Sequence, residues 1–336
     1  MNQKALITGI TGMVGSHMAD FLLANTKWDV LGLCRWRSPM TNLDHLLNRA
    51  NKRDRLFFFN ADLNDYHSIL KVIQLTKPNF IFHFAAQSFP RTSFDEPIAT
   101  FNTNINGTFN LLNAVKECKL NPLIHICSSS EIFGKVKKNQ IPINENTSFH
   151  PASPYAISKV GTDLIGKFFA EAYKLKVIIT RMFTHTGPRR GDVFAESSFA
   201  KQIALIETKK IPPVIKVGNL NSLRTYADVR DAVRAYYMLL TKNPIPGETY
   251  NIGGNHTCTV GDMLKYMISL SEMQKIIKIK IDKNRLRPID ADLQIPNIRK
   301  FQKHTGWKPK IHFKETIKDL LNYWREKVKE NNFLIR

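Results

Sequence analysis

Short apolar runs alternate with amphipathic stretches through the first half of the chain. Residues 4–9 (KALITG), 28–33 (WDVLGL), 56–59 (LFFF), 79–84 (NFIFHF), 123–127 (LIHIC) and 176–181 (KVIITR) have few polar breaks, as strands buried on both faces do. Between them, 102–117 and 155–173 carry apolar residues at helical spacing. This alternation predicts an α/β fold: a Rossmann-type, doubly wound parallel sheet with helices on both faces.

After about residue 185 the pattern changes. Prolines, strand-like runs at 213–217, 249–252 and 276–281, and helical patterns at about 226–241 and 259–272 predict a smaller C-terminal α/β lobe over the open strand ends. The expected division is 1–185 and 186–336, with the chain crossing between the two.

The 336 residues are 43% apolar, enough for a large core. There is no bilayer-length apolar run, and the N-terminus enters a strand without a signal peptide, so a soluble, cytoplasmic protein with no membrane partner is expected. The cysteines Cys34, Cys118, Cys127 and Cys258 are scattered, and His83, His125 and His185 lack ligand spacing. No metal and no disulfide framework are expected. The formal charge of +21 raises the question of nucleic acid. Residues 271–336 hold 17 basic and 8 acidic side chains, but these interleave with apolar positions at helical spacing rather than forming an arm. No nucleic-acid partner is expected; a basic cleft for a diphosphate accounts for part of the charge.

Candidate chemistry begins at Gly9-x-x-Gly12-x-x-Gly15, between the first strand and the first helix. Glycines there let the turn, with Thr11, Met13 and Val14, approach a pyrophosphate at the helix N-terminus. Where the second strand ends, a carboxylate would hold the ribose hydroxyls of NAD, but the chain reads Arg35-Trp36-Arg37-Ser38. Arg35 suits a 2′-phosphate, which favours NADP and leaves NAD possible. Asp62 and Leu63 suit an adenine contact, and Ala85, Ala86, Gln87 and Ser88 leave room for a flat cofactor. Tyr155 and Lys159, four apart, share one helix face. An ammonium there favours the phenolate, so the tyrosine can trade a proton with an alcohol.

These residues in this order, with SSSE at 128–131 and SPYAISK at 153–159, resemble the extended short-chain dehydrogenase/reductase family over nearly the whole chain. SSSEIFGKV, FTHTGPRRG at 183–191, 217–235 and LRPIDADL at 286–293 are similar to segments of its GDP-sugar 4,6-dehydratase branch. Thr184, Thr186 and Gly187 depart from the GDP-mannose pattern, and the chain looks closest to the bacterial GDP-N-acetylglucosamine 4,6-dehydratases of legionaminic acid synthesis.

The resemblance implies an NAD(P)-binding domain in 1–185 and mainly a nucleotide-sugar-binding lobe in 186–336. It implies a hydro-lyase in which Tyr155, Lys159 and Ser129 serve oxidation at C4. Glu131 would remove the C5 proton, and Ser130 would share protonation of the leaving hydroxyl. The cofactor is then recycled and tightly held. For the GDP-sugar, Arg224 and Arg287 would meet the diphosphate, with Thr184 on a phosphate. Lys201, Val217, Gly218 and Asn219 would flank the guanine, and Ser88 and Ser129 would face the sugar. Arg189 and Arg190 would either meet a second subunit's cofactor or lie on the surface. Relatives imply a homodimer or homotetramer. A GDP-mannose dehydratase, a GDP-4-keto-6-deoxy-sugar reductase and a non-catalytic dinucleotide-binding regulator are the competing expectations.

Overall fold

The computed structural model describes residues 2–289, 291–331 and 333; Asp290 of the 286–293 segment lies outside them. Seven strands make the main sheet: β1 (Lys4–Thr8), β2 (Asp29–Cys34), β3 (Leu56–Asn60), β4 (Phe80–His83), β5 (Leu123–Ser129), β6 (Lys176–Met182) and β7 (Thr249–Ile252). All run parallel, in the order β7-β6-β5-β4-β1-β2-β3. The first six are the apolar runs of the first half. β7 crosses over from the second half and pairs with Ile179–Met182. The order reverses between β1 and β4, which opens a crevice at the carboxyl ends of the strands.

Successive strand residues face opposite ways, so both sheet faces are apolar. On one, helices α1 (Met13–Asn25) and α5 (Val229–Thr241) set Met18, Leu22, Tyr236 and Leu239 against Ile7, Val30 and Phe82. On the other, α2 (Tyr66–Thr76), α3 (Gly107–Glu117) and α4 (Pro154–Tyr173) set Ile69, Leu111 and Phe169 against Leu6, Leu31, Ile124 and Ile179. Each such buried side chain contributes about 1.5–3 kcal/mol over leaving it in water.

Local signals fix α4. The Ser153 hydroxyl accepts the Ala156 N–H at 3.1 Å, and Pro154 follows at the first helical position, where its missing N–H costs nothing. Asp163 of α4 takes a bidentate grip from Arg181 of β6, at 2.8 and 3.0 Å, both side chains almost fully buried. The helical pattern over 102–117 divides in two: Asn102–Asn106 forms a wider π-type turn before α3.

Helices Ala195–Glu207, Val260–Ser269 and Phe313–Lys329 build a second core around Phe199, Met263, Leu320 and Trp324. A small sheet joins His256–Thr259, Leu223–Asp228 and Leu293–Gln294, with His185–Thr186 beside Leu223–Asp228. Among the described residues, no helix is long and apolar enough to cross a membrane.

Candidate active site

The crevice is a cavity of about 890 Å³, lined by the ends of the main strands and by the C-terminal layer. β5 ends at Ser129, whose hydroxyl accepts the Glu131 N–H at 3.2 Å. That bond caps a short turn, Ser130–Phe133, which carries Ser130 and Glu131 off the sheet and onto the cavity wall. The Glu131 carboxylate lies 3.7 Å from the Arg287 guanidinium.

Tyr155 and Lys159 face the same space from the first turns of α4. The Tyr155 backbone N–H donates to the Ser93 hydroxyl at 3.0 Å, which pins the start of the helix. Only 7% of Tyr155 is exposed, and burial pushes its phenol well above the ordinary value; a Ser129 hydrogen bond and the Arg190 charge pull it back. Lys159 donates from Nζ to the Cys127 carbonyl at 2.8 Å, and burial holds its pKa below the ordinary lysine value. A buried phenol becomes a base more readily as positive charge gathers round it, which is what Arg190 provides.

The other end of the cavity fits a dinucleotide. Gly9 turns with φ +70°, and a Cβ on Gly15 would meet the Gly9 carbonyl at 2.3 Å, so both positions demand glycine. Gly12 caps α1 without a side-chain bond, leaving first-turn N–H groups with no side-chain partner to meet an anion. Thr11, Met13 and Val14 line the same turn, Arg35 and Ser38 the end of β2, and Asp62 and Leu63 the end of β3. Ala85, Ala86, Gln87 and Ser88 line it beyond β4. Asn104, in the π-type turn, accepts the Gln87 N–H at 2.8 Å and donates to the Ser158 hydroxyl at 2.8 Å. It thereby ties this segment to α4.

Among the residues expected at the nucleotide, Thr184, Gly218, Asn219, Arg224 and Arg287 line the cavity. Arg224 donates to the Ala291 carbonyl. Two others stand elsewhere. Val217 is fully buried in the second core, because its strand turns that side chain inward. Lys201 pairs with Asp192 at 2.7 Å and sits over the Trp324 ring, outside the cavity lining. Arg189 pairs with Asp20 at 2.7 Å, while Arg190 enters the cavity against the Phe194 ring. Glu196, Phe194 and Tyr226 line the wall as well; no motif in the sequence marked Phe194 or Glu196, and Tyr226 was given no role within the 217–235 segment.

His83 lies between the Thr8 and Thr108 hydroxyls at 2.8 and 3.1 Å. His125 meets Thr180 at 2.8 Å and stacks on Tyr236. His185 lines the cavity. Among the described residues, no group of three or more His, Cys, Asp or Glu side chains could hold a metal ion.

Residues 6–320 match the family model described as GDP-mannose 4,6 dehydratase. The chain is 30% identical to a GDP-mannose 4,6 dehydratase of Drosophila melanogaster, over 98% of its own length and 88% of that protein. It is 27% identical to a GDP-6-deoxy-D-mannose reductase of Pseudomonas aeruginosa, over 98% of this chain and all of the other. Among solved structures, RMD from Pseudomonas aeruginosa, complexed with NADPH, superposes with a TM-score of 0.81 at 26% identity, covering 97% of this chain and 100% of that one.

Proposed function

This chain belongs to the GDP-mannose 4,6-dehydratase family, and we propose that it converts a GDP-hexose to its 4-keto-6-deoxy derivative by internal hydride transfer and loss of water. The observation that carries this reading is the convergence of Ser129, Glu131, Tyr155 and Lys159 on one cavity, with the glycine turn at its other end. NADP is the dinucleotide that Arg35 supports, and NAD fits the same turn. Bound in its oxidised form, it would supply a hydride acceptor for C4 and, once reduced, the hydride for C6.

Tyr155 takes the proton from the 4-hydroxyl. Lys159 favours the phenolate electrostatically, and the Ser129 hydroxyl orients the same sugar oxygen. The 4-ketone so formed acidifies C5–H, since the electron pair released there delocalises as an enolate. Glu131 removes that proton. The C6–O bond then breaks, and the hydroxyl leaves as water with the proton that Glu131 took from C5, shared with Ser130; hydride return to C6 is then matched by a proton from solvent at C5. Oxidation at C4 and reduction at C6 cancel, so no coenzyme is consumed. Arg224 and Arg287 are the guanidinium groups suited to the diphosphate.

GDP-mannose is supported by the names of the dehydratase relatives. GDP-N-acetylglucosamine is supported by Thr184, Thr186 and Gly187 in place of the residues usual for a mannose enzyme. Incubating purified protein with each sugar nucleotide, without added coenzyme, tests both: loss of one water by mass spectrometry identifies the reaction and the hexose together. A reductase reading is favoured by the 27% identity to the Pseudomonas relative. It requires stoichiometric reduced coenzyme and leaves the Glu131 carboxylate without a proton to remove.

The active form is a homodimer or homotetramer. Phe109 on α3 and Ile157, Leu164 and Phe168 on α4 are exposed apolar side chains, suited to a four-helix contact between copies. A nucleotide-sugar substrate and scattered, unpaired cysteines support action in the cytoplasm.

A further inference from the structure

We propose that Arg190 and Glu196 together read the hexose, as the donor and the acceptor that fix its ring between Tyr155 and the diphosphate arginines. This rests on the GDP-hexose reading above and names the residues that recognise the sugar. The first observation is that both are underused. Glu196 is only 7% exposed, yet it lines the cavity, and its carboxylate makes no side-chain hydrogen bond among the described residues. The Arg190 Nε is buried without a partner. Buried polar groups are ordinarily hydrogen-bonded, and the Arg190 Nε is not. The space they face is where the missing partner belongs.

The second observation is their closeness on one cavity wall. The charges of Tyr155 and Arg190 act on each other, as do those of Arg190 and Glu196. Glu196 and Arg224 in turn both act on Tyr226. Tyr155, Arg190, Glu196, Tyr226 and Arg224 all line the one cavity, which holds both the proposed proton acceptor and the proposed diphosphate ligand. A hexose bridges those same two ends in any GDP-hexose.

The third is rigidity. The Arg190 guanidinium lies 3.6 Å over the Phe194 ring, and Phe194 is held edge-on by Phe89 at 5.6 Å. Stacking of this kind fixes the plane of the guanidinium. An ionised Glu196 only accepts and Arg190 only donates, so the pair matches a hydroxyl beside a second oxygen, or the N–H and C=O of an acetamido group.

Calorimetric titration tests this with GDP, GDP-mannose and GDP-N-acetylglucosamine against wild type, Glu196→Gln, Arg190→Gln and Arg190→Lys. Melting temperature and dinucleotide affinity confirm that each variant is folded, and Arg190→Lys keeps the charge if Arg190→Gln does not fold. Glu196→Gln and Arg190→Gln are expected to weaken the better-bound GDP-hexose by about tenfold or more, the effect of losing a charged hydrogen bond, and to leave GDP unchanged. They should also alter the preference between the two hexoses. Equal weakening of GDP and GDP-hexose, or no weakening of either in folded variants, overturns the assignment while leaving the dehydratase reading intact. A wild type that binds no guanine nucleotide overturns both.

Discussion

At Tyr155, burial and charge oppose each other. Burial raises the phenol, while the Ser129 hydrogen bond and Arg190 lower it, and the proposed proton removal from a sugar hydroxyl depends on the balance. Tyr155→Phe keeps the ring and its packing but removes the proton acceptor, so turnover should fall by roughly 10²–10⁴ with little change in melting temperature. Glu131→Gln should cause a loss of the same order, about 10²–10⁴, and abolish solvent-deuterium uptake at C5 of the sugar. Retained uptake would assign the C5 base elsewhere. The Tyr155 and Lys159 pair was legible because a four-residue spacing is itself a geometric statement. Lys201 and Val217 were not, because placement there depends on which way a side chain turns: Lys201 meets Asp192 and Val217 meets the core. Arg190 could be named as a motif residue, but its facing the cavity while Arg189 pairs with Asp20 is a tertiary fact.

Among the elements, α4 carries Tyr155 and Lys159 and is clamped to β6 through Asp163 and Arg181. Removing Asp163 leaves Arg181 charged, buried and without its bidentate partner, so Asp163→Ala should cost about 3–5 kcal/mol, measurable in denaturant unfolding. A loss under 1 kcal/mol, roughly the worth of an exposed pair, would contradict the clamp. The opposite face of α4 leaves Leu164 52% and Phe168 49% exposed. Glutamate at both should reduce the mass seen by light scattering to that of one chain while dinucleotide binding persists. A wild type that already has the mass of one chain would contradict the oligomer. The six leading strands were readable from apolar runs bounded by turns. β7 was readable as a strand but not as part of the main sheet, since four residues carry no information about their partner. The π-type turn at Asn102–Asn106 was hidden because Asn104 is fixed by Gln87 and Ser158, far away in sequence.

Among the described residues, His17, His83 and His125 are buried and His185 is half-buried at the cavity, and all four favour the neutral form. Burial lowers His17 to about 4 and His83, His125 and His185 to about 3, against an ordinary value of 6.5. Above that ordinary value they are neutral in the folded and the unfolded chain alike. As pH falls from about 6.5 towards 4, the unfolded chain takes up protons that the folded chain refuses, and stability falls with pH. The melting temperature should drop across that window, and His17→Gln should make the slope shallower; a flat profile would contradict the burial. The fold class was readable throughout, because alternation of strand and helix needs no side-chain detail. The shape of the proposed hexose pocket was not, because its wall is assembled from segments far apart in sequence.

The most direct test follows one atom through the cycle. A GDP-hexose carrying deuterium at C4 is incubated with the protein, and the product is analysed by mass and by proton NMR. The account predicts a product lighter by one water, with deuterium at C6 and no net consumption of coenzyme. Deuterium lost from the product, or water retained while reduced coenzyme is consumed in proportion, would contradict it.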